Sequence, residues 1–387
     1  MYWPLMKDTI TLADRLKMAK FVLFTSRLTN GPKVREFEKE WSNWLECDYS
    51  LYVSSGSTAN SLLISSVKEL YNLQDGDKVI VPACTWVTNV APVIQSGLTP
   101  IFCDVNLRNF SFDEDDLEHI AQKHPDVKAI FITHLLGISA NVEKYKQLFP
   151  NALILEDICE SHGVENNEGV RRGKDSLGST FSFYFGHHMT TIEGGMVCTN
   201  NKDLYELMRM KRSHGMARES SPERFQQYIE ENPDISKQFL FMTDGYNFRN
   251  HEVCAVLGLS QLKRLNDMIE IRRKNYKDFC LSIARNTHNF YVPEYKPGNS
   301  SFCFPIICKD PENMNKLKNI FDSKEIEHRP IVSGNLLRHP AFKKYEVCTR
   351  KDELNVEVLH TSGVYVGNSH FVTSQQMKVL SNILDNI

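Results

Sequence analysis

Two adjacent histidines, His187 and His188, sit in the stretch FSFYFGHHMTTIEGG at residues 181–195, between an aromatic run and a Glu-Gly-Gly turn. An imidazole exchanges its proton near an unperturbed pKa of about 6.5, so either ring is a candidate acid or base. Neighbouring residues do not share a face of a strand or helix, which argues against a metal site built from both. Three further segments carry chemically useful types. Ser54-Ser55-Gly56-Ser57-Thr58 ends one apolar run and opens a helical one, where free amides, hydroxyls and the helix dipole suit a phosphate, or simply an N-cap. Trp86 in PACTWVTN follows another apolar run; its face can cover a planar ring or fill a core. Asp157 in ILEDICESHG ends a third, where a carboxylate needs a cationic partner or caps a helix.

These residues need a framework, and 387 residues allow two to three packed units of about 150 each. Apolar spacing of three and four predicts helices over 11–26 and 34–46, separated by Gly31-Pro32. From residue 50 the runs LYVSS, KVIVPA, TPIFCDV, KAIFITHLL and ALILED alternate with helical stretches, including helices from Ser57 and from about Trp86. STFSFYF and MVCTN add two strands, and one long helix is expected over 251–285. This order reads as an α/β fold with a doubly wound, mostly parallel sheet. All four chemical segments then fall beyond strand carboxyl ends, where such sheets collect ligands. From 286 the pattern changes to NFYVPEY, SFCFPIIC, a helix near 311–321, EIEHRPI and a last helix from Ser374. The expected division is a large unit over 1–285 and a smaller α+β unit over 286–387.

Composition removes several classes of function. The net charge is -3 and the basic residues form no stripe, so nucleic acid is not an expected partner. There is no apolar run of membrane-spanning length and no signal-peptide core near the start, so a cytoplasmic protein without a membrane partner is expected. Ten cysteines lie scattered without a CxxC pair or zinc-ligand spacing, which reads as buried reduced thiols and no metal.

Together, in this order and spacing, the four segments resemble the DegT/DnrJ/EryC1/StrS family of nucleotide-sugar aminotransferases. GPKVREFEKEWSNWL and DGYNFRNHEVCAVLGLSQL extend the likeness from about residue 30 to the C-terminus. The resemblance implies a fold-type I, aspartate aminotransferase-like architecture and pyridoxal 5'-phosphate (PLP). It places Gly56, Ser57, Thr58 and Ser182 at the cofactor phosphate, joined by Asn247 from the other subunit of a homodimer with composite sites. Trp86 would stack on the ring, Asp157 would pair with the ring nitrogen, and Glu160 would lie near the ring hydroxyl. His214 and Arg249 match family positions near the site and Arg329 lies where the small unit could meet the substrate, with a surface ion pair or helix cap the plainer reading of each; His188 is a weaker candidate, expected to point away and support the turn.

One position departs from the aminotransferase pattern. Counting back six from Glu193, His187 stands where the family has its Schiff-base lysine, and no lysine occurs between Lys174 and Lys202. An imidazole cannot capture an aldehyde as an imine, but it can still move a proton at neutral pH. This is the pattern of the family's 3-dehydratase branch. It implies pyridoxamine 5'-phosphate (PMP) formed from L-glutamate, ammonia release, and loss of the C3 hydroxyl from a GDP-4-keto-6-deoxy sugar, a mannose or related heptose. The product would be a 3,6-dideoxy sugar of the kind found in surface polysaccharides. A related branch uses an iron–sulfur cluster held by a CxC pair; this chain has no CxC, so no cluster is expected. The alternatives are a sugar 4-aminotransferase and a non-catalytic subunit binding cofactor or sugar.

Overall fold

A computed structural model describes residues 2–387. The chain opens with helices α1 (Leu12–Phe24) and α2 (Pro32–Leu45), followed by strand β1 (Tyr49–Val53) and α3 (Gly56–Leu70). It continues through β2 (Lys78–Pro82), α4 (Ala91–Gln95), β3 (Thr99–Cys103), α5 (Glu114–Lys123), β4 (Ala129–Thr133), α6 (Val142–Leu148) and β5 (Leu153–Asp157). Then come β6 (Gly178–Ser182), β7 (Gly195–Thr199), α7 (Lys202–Arg212), α8 (Pro222–Glu231), α9 (Glu252–Leu262) and α10 (Leu265–Ile283). The last part holds β8 (Phe290–Tyr291), β9 (Cys303–Cys308), α11 (Pro311–Ser323), β10 (His328–Pro330), α12 (Asn355–Ser362), β11 (Gly363–Gly367) and α13 (Ser374–Asp385).

The first seven strands form one sheet in the order β1-β7-β6-β5-β4-β2-β3. Only β7 runs against its fellows: it pairs antiparallel with both β6 and β1, while β2, β3, β4, β5 and β6 are mutually parallel. The other four strands make an antiparallel sheet, β10-β11-β9-β8. Strands β4 and β6 are buried along their whole length, which is why their runs show no polar alternation.

Helix α2 begins with Pro32 in its first turn and buries Val34, Phe37, Trp41 and Leu45, a stripe at spacings of three and four. Phe37 and Trp41 meet Tyr52, Phe181 and Phe183 edge-on or tilted, with ring centroids 4.8 to 6.2 Å apart. This cluster supports the end of β6 from beneath. A buried ion pair fixes the same corner: Arg212 of α7 donates to Glu38 of α2 at 2.7 Å and to the Tyr52 carbonyl at 2.8 Å, and the Tyr52 amide donates to Glu38 at 2.9 Å.

The structure corrects three expectations. The helix expected over 251–285 is two helices, α9 and α10, broken at Lys263-Arg264, because Arg264 turns back to the buried Asp14 of α1 at 2.5 Å. The helix expected from Trp86 is a single turn at Val87–Asn89 followed by the short α4, interrupted near its start by Pro92. Residues near the N-terminus, expected with the large unit, pair with the small sheet: Trp3 is buried, bridges Ile326 and donates to the Gly367 carbonyl at 3.1 Å. Strand β11 and helix α12 carry no signal that the sequence reading used.

Removing one member of a buried pair strands the other charge. Glu38→Ala is therefore expected to cost about 3–5 kcal/mol of stability in urea unfolding, far more than substitution of an exposed partner such as Glu46. A loss under 1 kcal/mol would contradict this account of the corner.

Candidate active site

Because β7 runs backwards, its first residues lie at the sheet edge where β1, β2, β4, β5 and β6 end. The Glu193-Gly194-Gly195 turn thus meets the Ser55-Gly56 turn and Ser182. A Cβ on Gly195 would stand 2.2 Å from the Ser55 carbonyl oxygen, and one on Gly56 would stand 2.6 Å from Ser182 Cβ. Both positions need glycine for this approach. Over the edge lies a cleft of about 570 Å³, closed on its far side by Phe302, Arg329 and Tyr365 next to the small sheet, and by Leu5 and Met6.

At the opening of α3, Ser55 is the N-cap and Thr58 completes the box: Ser55 Oγ accepts from the Thr58 amide at 3.1 Å, and Thr58 Oγ1 accepts from the Ser55 amide at 2.9 Å. Thr58 is committed to this cap and does not line the cleft, contrary to the phosphate role expected of it. Gly56 and Ser57 do line it, with the first-turn amides that no helical bond uses, and Ser182 faces them. Trp86 stands 56% exposed at the cleft wall, so it is not a core residue.

Asp157 is buried at the end of β5. Asn60 of α3 donates to its Oδ2 at 2.8 Å and the Cys159 amide to its Oδ1 at 3.0 Å, while Thr180 Oγ1 donates to the Asn60 side-chain Oδ1 at 2.6 Å. Asn60 escaped the sequence reading, although it lies one turn beyond the Ser-Gly-Ser-Thr segment. Glu160 also lines the cleft, accepts from the Leu136 amide at 3.1 Å, and has its pKa pushed up to about 7 by burial, against the pull of that amide.

The turn between β6 and β7 is pinned throughout. The His187 amide bonds the Tyr184 carbonyl at 3.1 Å, Thr190 Oγ1 donates to the Phe183 carbonyl at 3.0 Å, and Tyr52 holds Thr191 at 2.7 Å. His187 lines the cleft against Phe302, ring centroids 5.6 Å apart. Its Nδ1 is buried without a partner, which leaves Nε2 as the nitrogen opening on the cleft. Burial, then the nearby Arg272 guanidinium, lowers its pKa to about 4, so the neutral-range value expected of a free imidazole does not hold here. His188 is fully buried and turned away, its Nε2 within 3.0 Å of both the carbonyl and the hydroxyl of Ser300. It braces the turn from behind, as a supporting group would, and does not line the cleft.

Asn247, Arg249 and His214 form a separate surface cluster. Arg249 Nε donates to Asn247 Oδ1 at 3.0 Å and its Nη2 lies 3.2 Å from His214 Nε2. None of the three lines this chain's own cleft, whereas Arg329 does.

A parallel sheet ending in Asp157, an aromatic wall, a glycine-lined helix N-terminus and a facing serine define an enzyme of the PLP aminotransferase fold. The residues fit that cofactor: Gly56 leaves a cradle that any Cβ would fill, and Asp157 keeps acceptor capacity toward the cleft beyond its two donors. The chain belongs to the DegT/DnrJ/EryC1/StrS aminotransferase family, whose model matches residues 10–383. It is 34% identical over 374 residues, 94% of this chain and 93% of the relative, to a GDP-4-keto-6-deoxy-D-mannose 3-dehydratase of Yersinia pseudotuberculosis. Among solved structures, the Escherichia coli enzyme of the same name with bound hydrated PLP superposes with a TM-score of 0.89 at 29% identity, over 99% of both chains. A GDP-4-keto-6-deoxymannose-3-dehydratase holding a trapped PLP-glutamate geminal diamine gives 0.89 at 30% identity, over 99% of this chain and 100% of that one.

Three imidazoles are held neutral here, each chiefly by burial: His187 down to about 4, and His162 and His188 well below their usual value. Unfolding frees them to bind protons near 6.5, so the unfolded chain carries more protons as pH falls below that value. Their contribution is complete above pH of about 6.5 and is lost as pH falls below it, that of His187 down to about 4. The urea midpoint should therefore drop between pH 7.5 and 5.0, and drop less in His187→Asn; a midpoint that rises toward pH 5.0 contradicts this.

Proposed function

We propose that the protein is a PLP/PMP-dependent 3-dehydratase that removes the C3 hydroxyl from a GDP-4-keto-6-deoxy sugar, mannose or a related heptose. L-Glutamate serves as the reductant. The observation that carries the reading is that His187 faces the cleft while no lysine among the described residues lines it. The net reaction balances without water: sugar and glutamate give the 3-deoxy-4-keto sugar, 2-oxoglutarate and ammonia. When bound, the cofactor supplies an amine for the sugar's C4 ketone and a ring that takes up electrons.

Each residue then has a defined task. Asp157, fixed by Asn60 and the Cys159 amide, favours a protonated ring nitrogen. Gly56, Ser57 and Ser182 hold the phosphate at the α3 N-terminus, and Trp86 covers one ring face. His187 Nε2 takes the proton whose removal drives out the C3 hydroxyl. Glu160, with its raised pKa, faces the ring side of the cleft as a hydrogen-bonding acid. Arg329, at the small-sheet side, suits the diphosphate of the nucleotide. The boundary at 285/286 follows α10, beyond which the strands belong to the second sheet. A cytoplasmic location fits a substrate of this kind, and no helix among the described residues is long and apolar enough to cross a membrane.

The reading includes a homodimer. Asn247, Arg249 and His214 lie outside this chain's cleft, and α1 presents Leu12, Leu16, Leu23 and Phe24 to solvent at 62–81% exposure. Such a face argues for a partner, here a second copy.

Incubated with PLP, glutamate and GDP-4-keto-6-deoxymannose, the protein should release one ammonia per 3-deoxy product by mass spectrometry, and borohydride should leave no pyridoxyl-lysine. His187→Asn should lose roughly 100-fold or more in turnover and His188→Asn less. A 4-amino sugar product or a reduced lysine adduct would reverse the assignment. Sedimentation should give a dimer, with Asn247→Ala still dimeric but releasing PLP more readily on dialysis; a fully active monomer contradicts the composite site.

A further inference from the structure

Arg272 of α10 is almost fully buried and lies behind the cleft. Its Nη1 donates to the Phe302 carbonyl at 3.3 Å and to the Asn368 carbonyl, and its Nε is buried with no partner. Asn368 returns the contact, its side-chain amide donating to the Arg272 backbone carbonyl at 3.1 Å and to that of Ser301 at 3.3 Å, so the two residues are tied to each other twice. Among the described residues no carboxylate forms an ion pair with it. A buried cation answered only by carbonyl dipoles is costly, and its field is weakly screened.

The ring of Phe302, whose carbonyl Arg272 holds, packs on the ring of His187 at 5.6 Å. On its buried side His187 finds no acceptor for Nδ1, the place where a carboxylate would stand if the site were built to stabilise an imidazolium. We propose that Arg272 is a positioning residue for the reaction: a fixed cation that seats Phe302 against His187 and keeps that imidazole in its neutral, proton-accepting form. This rests on the proposed base role of His187.

The other groups around the ring do not account for the same effect. Asp157, Glu160, Glu193 and Glu327 share the cleft, yet none comes within ion-pair distance of His187 among the described residues, and their negative charge would favour imidazolium. His162 and His188 lie on the buried side, both held neutral by burial. Tyr184 and Tyr365 bring phenols, and burial pushes that of Tyr365 up. Arg329 is a cation of the same sign but is exposed to solvent, which screens it. Arg272 is the second cause, after burial, of the low His187 pKa, and no other charged group is among the causes.

The test follows the imidazole directly. The protein is labelled at histidine Cε1, the His187 resonance is assigned by its absence in His187→Asn, and its titration is followed by NMR from pH 8 downward. In the native chain His187 should stay neutral to well below pH 6. Arg272→Gln, which keeps donors but not charge, should move the midpoint up by about one unit or more, and Arg272→Lys should leave it near the native value. A native midpoint at or above 6.5, an unmoved midpoint in Arg272→Gln, or an equal shift in Arg272→Lys would overturn the proposal. If Arg272→Gln does not fold, Arg272→Met is read in its place, since an apolar side chain of similar volume removes the charge without leaving a buried ion unpaired, and an unmoved midpoint there overturns the proposal as well. No turnover is needed, so a chain lacking dehydratase activity would sink the functional reading and leave this result standing.

Discussion

The site depends on a close approach of backbone to backbone. The turn before β7 must lie against the turn that opens α3, and at Gly195 and Gly56 a side chain would stand within 2.6 Å of its neighbour. That approach is possible because β7 alone runs antiparallel and so delivers its N-terminal end to the edge where the parallel strands finish. The β6–β7 turn thereby faces the α3 N-terminus across a gap of ligand size. The aromatic cluster around Trp41 and the Arg212–Glu38 pair hold this corner in place.

Two ionisable groups at the cleft, the buried Asp157 and the half-buried His187, receive opposite treatment. Asp157 is given donors on both oxygens, from Asn60 and the Cys159 amide, which suits a carboxylate held ready for a cation. His187 is given nothing at Nδ1, a ring contact from Phe302 and a cation behind it, which suits a neutral imidazole. A lysine at that position would meet the same dry, cation-backed surroundings and would also be driven toward its neutral form.

The fold was largely legible. The parallel strands are short β-branched runs bounded by helices, and a strand buried on both faces announces itself by composition. The element boundaries that failed were those set by distant partners: the break at Lys263-Arg264 answers to Asp14, some 250 positions earlier, and Trp3 joins a sheet built from the other end of the chain. Strand β11, GVYVG, is too short and glycine-bounded to stand out locally; its pairing with β9 makes it a strand.

At the site, the sequence by itself determined which chemical types are present, including a histidine six residues before Glu193 and no lysine for many positions on either side. That fact needs no coordinates, because it removes the amine from the position where the family forms its imine. Only the tertiary structure decided which residues face the cleft and which stand behind it: Thr58 turned to its capping box, His188 turned to Ser300, Asn60 set behind Asp157 and Arg272 behind Phe302, both from helices whose own sequence gives no hint of the task. The physical reason is that a hydroxyl, imidazole or guanidinium acts according to its partners and its dielectric surroundings, and both are set by residues far away along the chain.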